Sequence, residues 1–139
     1  MSEDQAFSEL LRKRSLRATT QRLDVLKVID TYGKAIPYSL LRKSLQDLDR
    51  VTLYRTINTL LDSGIIHKAL VDSGETYYAL CNISCSSHAH HHEHVHFKCE
   101  DCQEVTCVET SFPPIDIPGY QIEAIKIEAT GKCQNCAVL

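Results

Sequence analysis

No apolar run in this chain of 139 residues approaches the roughly 18 residues that a membrane-spanning helix requires. The opening Met1-Ser2-Glu3-Asp4-Gln5-Ala6 lacks the basic and apolar regions of a secretory signal. A cytoplasmic protein without a membrane partner is therefore expected. Seven cysteines is an odd count, which argues against a fully paired disulfide framework. In a reducing compartment, paired cysteines are read as metal ligands first. No internal repeat exists beyond two Cys-x-x-Cys pairs, so a solenoid is excluded. Positive charge is also scarce in one half. Residues 71–139 hold 3 Lys/Arg against 10 Asp/Glu, a balance of −7, whereas residues 1–70 hold 12 against 8, a balance of +4. Halves of opposite sign imply two modules, with the basic one facing an anionic partner.

The apolar spacing of the first 66 residues predicts helices separated by short turns. Phe7, Leu10, Leu11 and Leu16 mark the first, and Thr19 or Thr20 caps a second that carries Leu23, Val25, Leu26, Val28 and Ile29 and stops near Gly33. Pro37 opens a third over Tyr38–Leu45. A fourth begins after Asp47 or Asp49, carries Val51, Leu53, Tyr54, Ile57, Leu60 and Leu61, and ends at Gly64. Residues 65–71 and 76–80 then read as strands joined by the turn Asp72-Ser73-Gly74-Glu75. Helices followed by a two-stranded wing outline a winged helix-turn-helix, in which the helix before the wing enters the major groove. Residues 82–93 form a polar Ser/His stretch; strands are expected beyond it at about 95–99, 104–109 and 120–128. The expected fold is α+β. It divides into a winged-helix domain (1–80), a hinge (81–93) and a small metal-binding α/β domain (94–139) with a four-cysteine zinc site.

Cys99, Cys102, Cys133 and Cys136 carry the strongest chemical signal. A two-residue gap lets both sulfurs of a pair reach one ion, and two pairs complete a closed tetrahedral shell for structural Zn(II). His94 and His96 are two apart on a predicted strand, so both imidazoles project from one face toward a common ion. His67 opens the wing and Cys81 closes it, within reach of that pair. A shell of thiolate and imidazole suits Zn(II) better than ions that prefer carboxylates. His90, His92, Cys85 and Cys107 remain as auxiliary metal residues, Cys85 and Cys107 being read as inert or auxiliary thiols. His92-Glu93-His94-Val95-His96 matches H-E-x-x-H, but metalloprotease chemistry needs both histidines on one helical face, and no helical pattern surrounds them. In the fourth helix, Thr52, Tyr54 and Arg55 occupy positions that reach bases and phosphates, with Arg50 before them. Lys13 and Arg17 neutralise phosphates.

The ordered motifs resemble the ferric uptake regulator superfamily of metal-dependent repressors. Leu16-Arg17-Ala18-Thr19 with Gln21-Arg22-Leu23 resembles its N-terminal signature. Val51-Thr52-Leu53-Tyr54-Arg55 resembles its recognition helix, and His94-x-His96-x-x-Cys99-x-x-Cys102 with Cys133-x-x-Cys136 resembles its metal motifs. The resemblance implies a homodimer, with 94–139 as its dimerisation domain, that represses by binding A·T-rich inverted repeats in double-stranded DNA, with no small-molecule substrate. It places Lys13 in the minor groove and Tyr54 and Arg55 in the major groove. His67, Cys81, His94 and His96 fall on the four sensory positions of the zinc-responsive branch. Iron and peroxide sensors of the superfamily carry carboxylates near Cys81 and eight residues after the first knuckle cysteine, where this chain has Cys107. Zn(II) is thus the expected sensed ion, with Fe(II) or Mn(II) the alternative in an iron- or peroxide-responsive regulator. A zinc hydrolase is the remote alternative, and for it the sequence offers no base beyond Glu93.

Overall fold

The computed structural model describes residues 2–81, 94–110, 115–123 and 125–137. The chain opens with α1 (Glu3–Lys13), whose start is fixed by a reciprocal box between Ser2 and Gln5 and by acidic residues in the first turn. The hydroxyl of Thr19 accepts the Arg22 N–H and starts α2 (Thr20–Tyr32). Gly33 ends that helix at φ 77°, a left-handed conformation that glycine adopts without steric cost. Next come a two-residue strand β1 (Ile36–Pro37), α3 (Tyr38–Ser44) and α4 (Arg50–Asp62). The Asp49 carboxylate accepts the Thr52 N–H at 2.7 Å at the head of α4, and that bond holds its pKa below the usual value. The wing is β2 (Ile66–Asp72) and β3 (Glu75–Leu80), closed by Ser73 and Gly74 at φ 53° and 80°. Positive φ at both central residues gives the two-residue turn that matches strand twist.

The helices pack because their apolar stripes face inward. Leu11, Val25, Leu26, Leu41, Leu53 and Leu60 are fully buried, with Ile65 and Ile66 closing the base against the wing. The wing sheet has the order β1-β3-β2. The short β1 has no counterpart among the expected elements, since two residues carry no periodicity.

A second sheet follows, in the order β5-β4-β6. Its centre is β4 (His94–Cys99), flanked by antiparallel β5 (Val105–Glu109) and parallel β6 (Glu128–Gly131). The strand expected at 120–128 is a correction: regular pairing starts only at Glu128, and Tyr120 and Ile125 are exposed. Alternating apolar residues report a face that needs cover, and among the described residues nothing covers this one.

The two sheets meet directly. The Ala35 N–H donates to the Val105 carbonyl at 3.0 Å, and Ala35, Ala69, Leu70, Ala79 and Val105 form a small buried cluster. Lys34 pairs with Glu104, and Lys98 with Asp72, on the flanks of this contact.

Candidate metal centres and nucleic-acid interface

The parallel pairing of β4 with β6 sets Cys99 beside Gly131, which brings the two Cys-x-x-Cys turns face to face. Cys99 is buried, and its sulfur accepts the N–H groups of Cys102 at 3.5 Å and Cys133 at 3.4 Å. Those donors draw its thiol down to about 6. Cys136 shows the opposite effect: the sulfurs of Cys133 and Cys99 push it up to about 12. Four thiols so close cannot all ionise without a cation between them. The Cys102 and Cys133 sulfurs stand 3.8 Å apart, and all four sulfurs lie within 4.8 Å of one another. A tetrahedral ion about 2.3 Å from each sulfur requires edges of about 3.8 Å. The residues therefore fit a zinc ion.

A second cluster forms where the wing meets the second sheet. His67 lies on β2, one position from the start of the wing, and Cys81 follows β3 with its N–H donating to the Ile65 carbonyl. His96, at the middle of β4, is the direct cross-strand partner of Cys107 on β5. The rings of His67 and His96 have centroids 5.4 Å apart. Ligand atoms of His67, His96 and Cys107 fall within 4.8 Å of one another. Cys107 Sγ lies 3.6 Å from Nε2 of His67, and Cys81 Sγ lies 3.2 Å from its Nδ1. Burial pushes the Cys107 thiol up to about 11, so it ionises only when a cation joins it. Of the expected sensory residues, the structure thus brings His67 and His96 together and sets Cys81 against His67. His94 is on β4 opposite Glu109, but its side chain lies outside the described residues, as do His90, His92 and Cys85.

Cys107 is the residue whose position the sequence undervalued. A usable signal existed: the knuckle turn pairs Cys99 with Glu104, since the Cys99 N–H donates to the Glu104 carbonyl. Antiparallel register then forces His96 opposite Cys107.

The outer face of α4 is open. Val51 and Tyr54 are 58% and 62% exposed, and with Tyr38, Arg50, Arg55 and Asn58 they line a groove of about 690 Å³. Thr52 is half-buried, its carbonyl accepting the Thr56 hydroxyl at 2.7 Å. Lys13 and Arg17 are exposed at the end of α1 and before α2.

Residues 13–128 match the model of the ferric uptake regulator family. The chain belongs to that family. It is 28% identical over 137 residues to a ferric uptake regulation protein of Staphylococcus aureus, covering 92% of this chain and 93% of that one. It is 29% identical over 138 residues to the zinc uptake regulation protein of Escherichia coli, covering 92% and 77%. Among solved structures it resembles a zinc uptake regulator complexed with zinc and DNA, with a TM-score of 0.68 at 25% identity over 98% of this chain and 96% of the other. Ferric uptake regulator proteins are metal-responsive, DNA-binding transcription regulators and not enzymes. The zinc-hydrolase alternative falls with that membership. The backbone agrees, because residues 94–96 of the H-E-x-x-H string lie on a strand. Iron-named and zinc-named relatives both match at similar identity, so the membership alone leaves the sensed ion open.

Proposed function

We propose that this chain is a Zn(II)-sensing repressor of metal uptake, acting in the cytoplasm as a homodimer on an A·T-rich inverted repeat. One observation carries the reading. Donors from the wing, His67 with Cys81 beside it, converge with His96 and Cys107 of the second sheet. A sensor needs such a cluster between units that must be held in register. Thiol and imidazole donors favour zinc over the harder ions. His94, two residues before His96, belongs to the proposed set. Bound there, Zn(II) would tie the wing to the second sheet through donors drawn from this cluster. The chain's own residues do the rest: β2 delivers His67 from the wing, β4 and β5 hold His96 and Cys107 rigidly across from one another, and the hinge carries Cys81.

The proposed units are the winged-helix domain 1–80, the hinge 81–93 and the dimerisation domain 94–139. The ion pairs flanking their contact are partly exposed, and pairs of that kind contribute little against solvent screening. The metal is then the element that holds the two units in one arrangement, as a ligand preferring one state must. Structural Zn(II) in the four-cysteine knuckle fixes the sheet that carries half of the sensory site. On the DNA side, Tyr54, Arg55 and Thr52 read the major groove from α4. Arg50, Arg17 and Lys13 hold the backbone, with Lys13 reaching the minor groove. Ile115, Ile117, Tyr120 and Ile125 are exposed along one segment, the kind of apolar patch that marks a protein interface. A second copy pairing there would space two recognition helices about 34 Å apart for two half-sites.

The test uses duplexes selected from a random library with the zinc-loaded protein. His96→Ala is expected to raise the zinc concentration for half-maximal DNA binding by at least about tenfold. Its knuckle zinc and thermal stability should stay at wild-type levels. An unchanged zinc response in a mobility-shift titration would overturn the reading.

A further inference from the structure

Lys13 ends α1 and is exposed, whereas Arg14, the residue after it, caps the helix and is half-buried. About 100° separates consecutive side chains around a helix, so the two leave α1 in different directions. Arg14 reaches α4. Its Nη1 donates to the Ser63 carbonyl at 2.7 Å, across 49 positions of sequence. Ser63 is the C-cap of α4, the helix that carries Arg50, Tyr54 and Arg55. A guanidinium there meets the negative end of the helix dipole, and a charge-assisted hydrogen bond is stronger than a neutral one. The end of α1 is thereby clamped to the end of α4.

The backbone around the clamp is also held. The Arg14 N–H donates to the carbonyls of Leu10 and Leu11, and the Leu16 N–H returns to the Leu11 carbonyl at 2.9 Å. Between them Ser15 takes φ 60°, a left-handed conformation uncommon for a residue with a side chain. Such a conformation persists only where its surroundings fix it. Leu11 is fully buried in the helical core and keeps α1 packed whatever stands at position 14. Arg14 therefore governs where the end of α1 points, and not whether the helix forms.

We infer that Arg14 is a positioning residue for DNA binding: through the Ser63 carbonyl it locks the Lys13 side chain to the recognition helix, so that both grooves of a half-site are read in one register. This role rests on the placement of Lys13 and α4 on DNA proposed above and adds what couples them. Arg14 acts through Lys13, because a binding group keeps its geometry only when the residues that carry it are themselves locked.

The experiment uses the full-length, zinc-loaded protein and the duplexes selected with it. Replacing single adenines by 2,6-diaminopurine adds an amino group to the minor groove and leaves the major-groove edge unchanged. Wild-type protein is expected to lose at least about fivefold in affinity at the base pairs under Lys13. Lys13→Ala should abolish that penalty. Arg14→Met should abolish it too, while its response to replacing thymine by uracil, which removes a major-groove methyl group, stays within about twofold of wild type. A general loss of structure would weaken both responses. The double variant Lys13→Ala/Arg14→Met should bind within about twofold of Lys13→Ala alone, since two residues acting through one contact are not additive. If Arg14→Met does not fold, the shorter and neutral Arg14→Gln repeats the measurements, with the same loss expected. An Arg14 variant that keeps the full diaminopurine penalty, or a double variant in which the two losses multiply, would overturn the inference and leave the DNA-binding surface standing. If wild-type protein shows no diaminopurine penalty, or Lys13→Ala retains it, the placement of Lys13 in the minor groove fails, and the inference with it.

Discussion

Cys133→Ser is expected to lose knuckle zinc and, with it, the second sheet. Cys133 supplies more than a ligand, because its N–H also donates to the buried sulfur of Cys99. The turn that carries it follows β6, whose parallel pairing with β4 ends at Cys99 and Gly131. Metal binding to such a site is itself folding free energy, since no preformed site survives unfolding. Loss of an outer-shell partner alone costs about 10- to 100-fold in metal affinity, so loss of a direct ligand should exceed about a hundredfold. A colorimetric chelator assay should find one zinc fewer per chain, and circular dichroism should report less strand. Retention of stoichiometric zinc by Cys133→Ser would show that these four sulfurs do not form one site. The proposed sensor should fail alongside the knuckle, because β4 carries Cys99 and His96 three residues apart.

Leu53→Ala acts at the opposite end of the molecule. Leu53 is fully buried on the inner face of α4, while Tyr54 and Arg55 beside it point outward into the open groove. Truncating a buried leucine removes its transfer free energy and leaves a cavity, typically costing about 2–5 kcal/mol. That is a large share of the roughly 5–15 kcal/mol that holds a domain folded. Urea denaturation should show this loss, and DNA affinity should drop because the recognition helix loses its seat. Knuckle zinc should stay intact, since Leu53 sits on α4 in the helical core, apart from the four clustered cysteines. A stability loss below about 0.5 kcal/mol, the range of ordinary surface substitutions, would contradict the packing described.

Much of this was legible in the chain because the signals were local. Thr19, Asp49 and Gly33 cap helices through bonds spanning three or four residues, and the wing turn is set by Ser73 and Gly74. The Cys-x-x-Cys spacing states its own chemistry. What escaped was long-range. β1 exists only because Ile36 and Pro37 pair with Tyr78 and Tyr77, some forty positions away. The alternation over 120–128 describes a face to be covered but not what covers it, and the strand begins later, at Glu128. Cys107 looked like a spare thiol because its partners, His96 and His67, come from two other strands. Its role depends on register and on the contact of the two sheets at Ala35 and Val105.

The central claim is that Zn(II), held between the wing and the second sheet, controls DNA binding. Its most direct test is one titration of operator-type duplex binding with Zn(II), Fe(II) and Mn(II), run without oxygen on protein whose knuckle is already filled. Zn(II) should drive binding at concentrations at least about a hundredfold below those of Fe(II) or Mn(II), as a thiolate-containing shell requires. DNA binding that responds equally to Fe(II), or that ignores all three ions, would contradict the account.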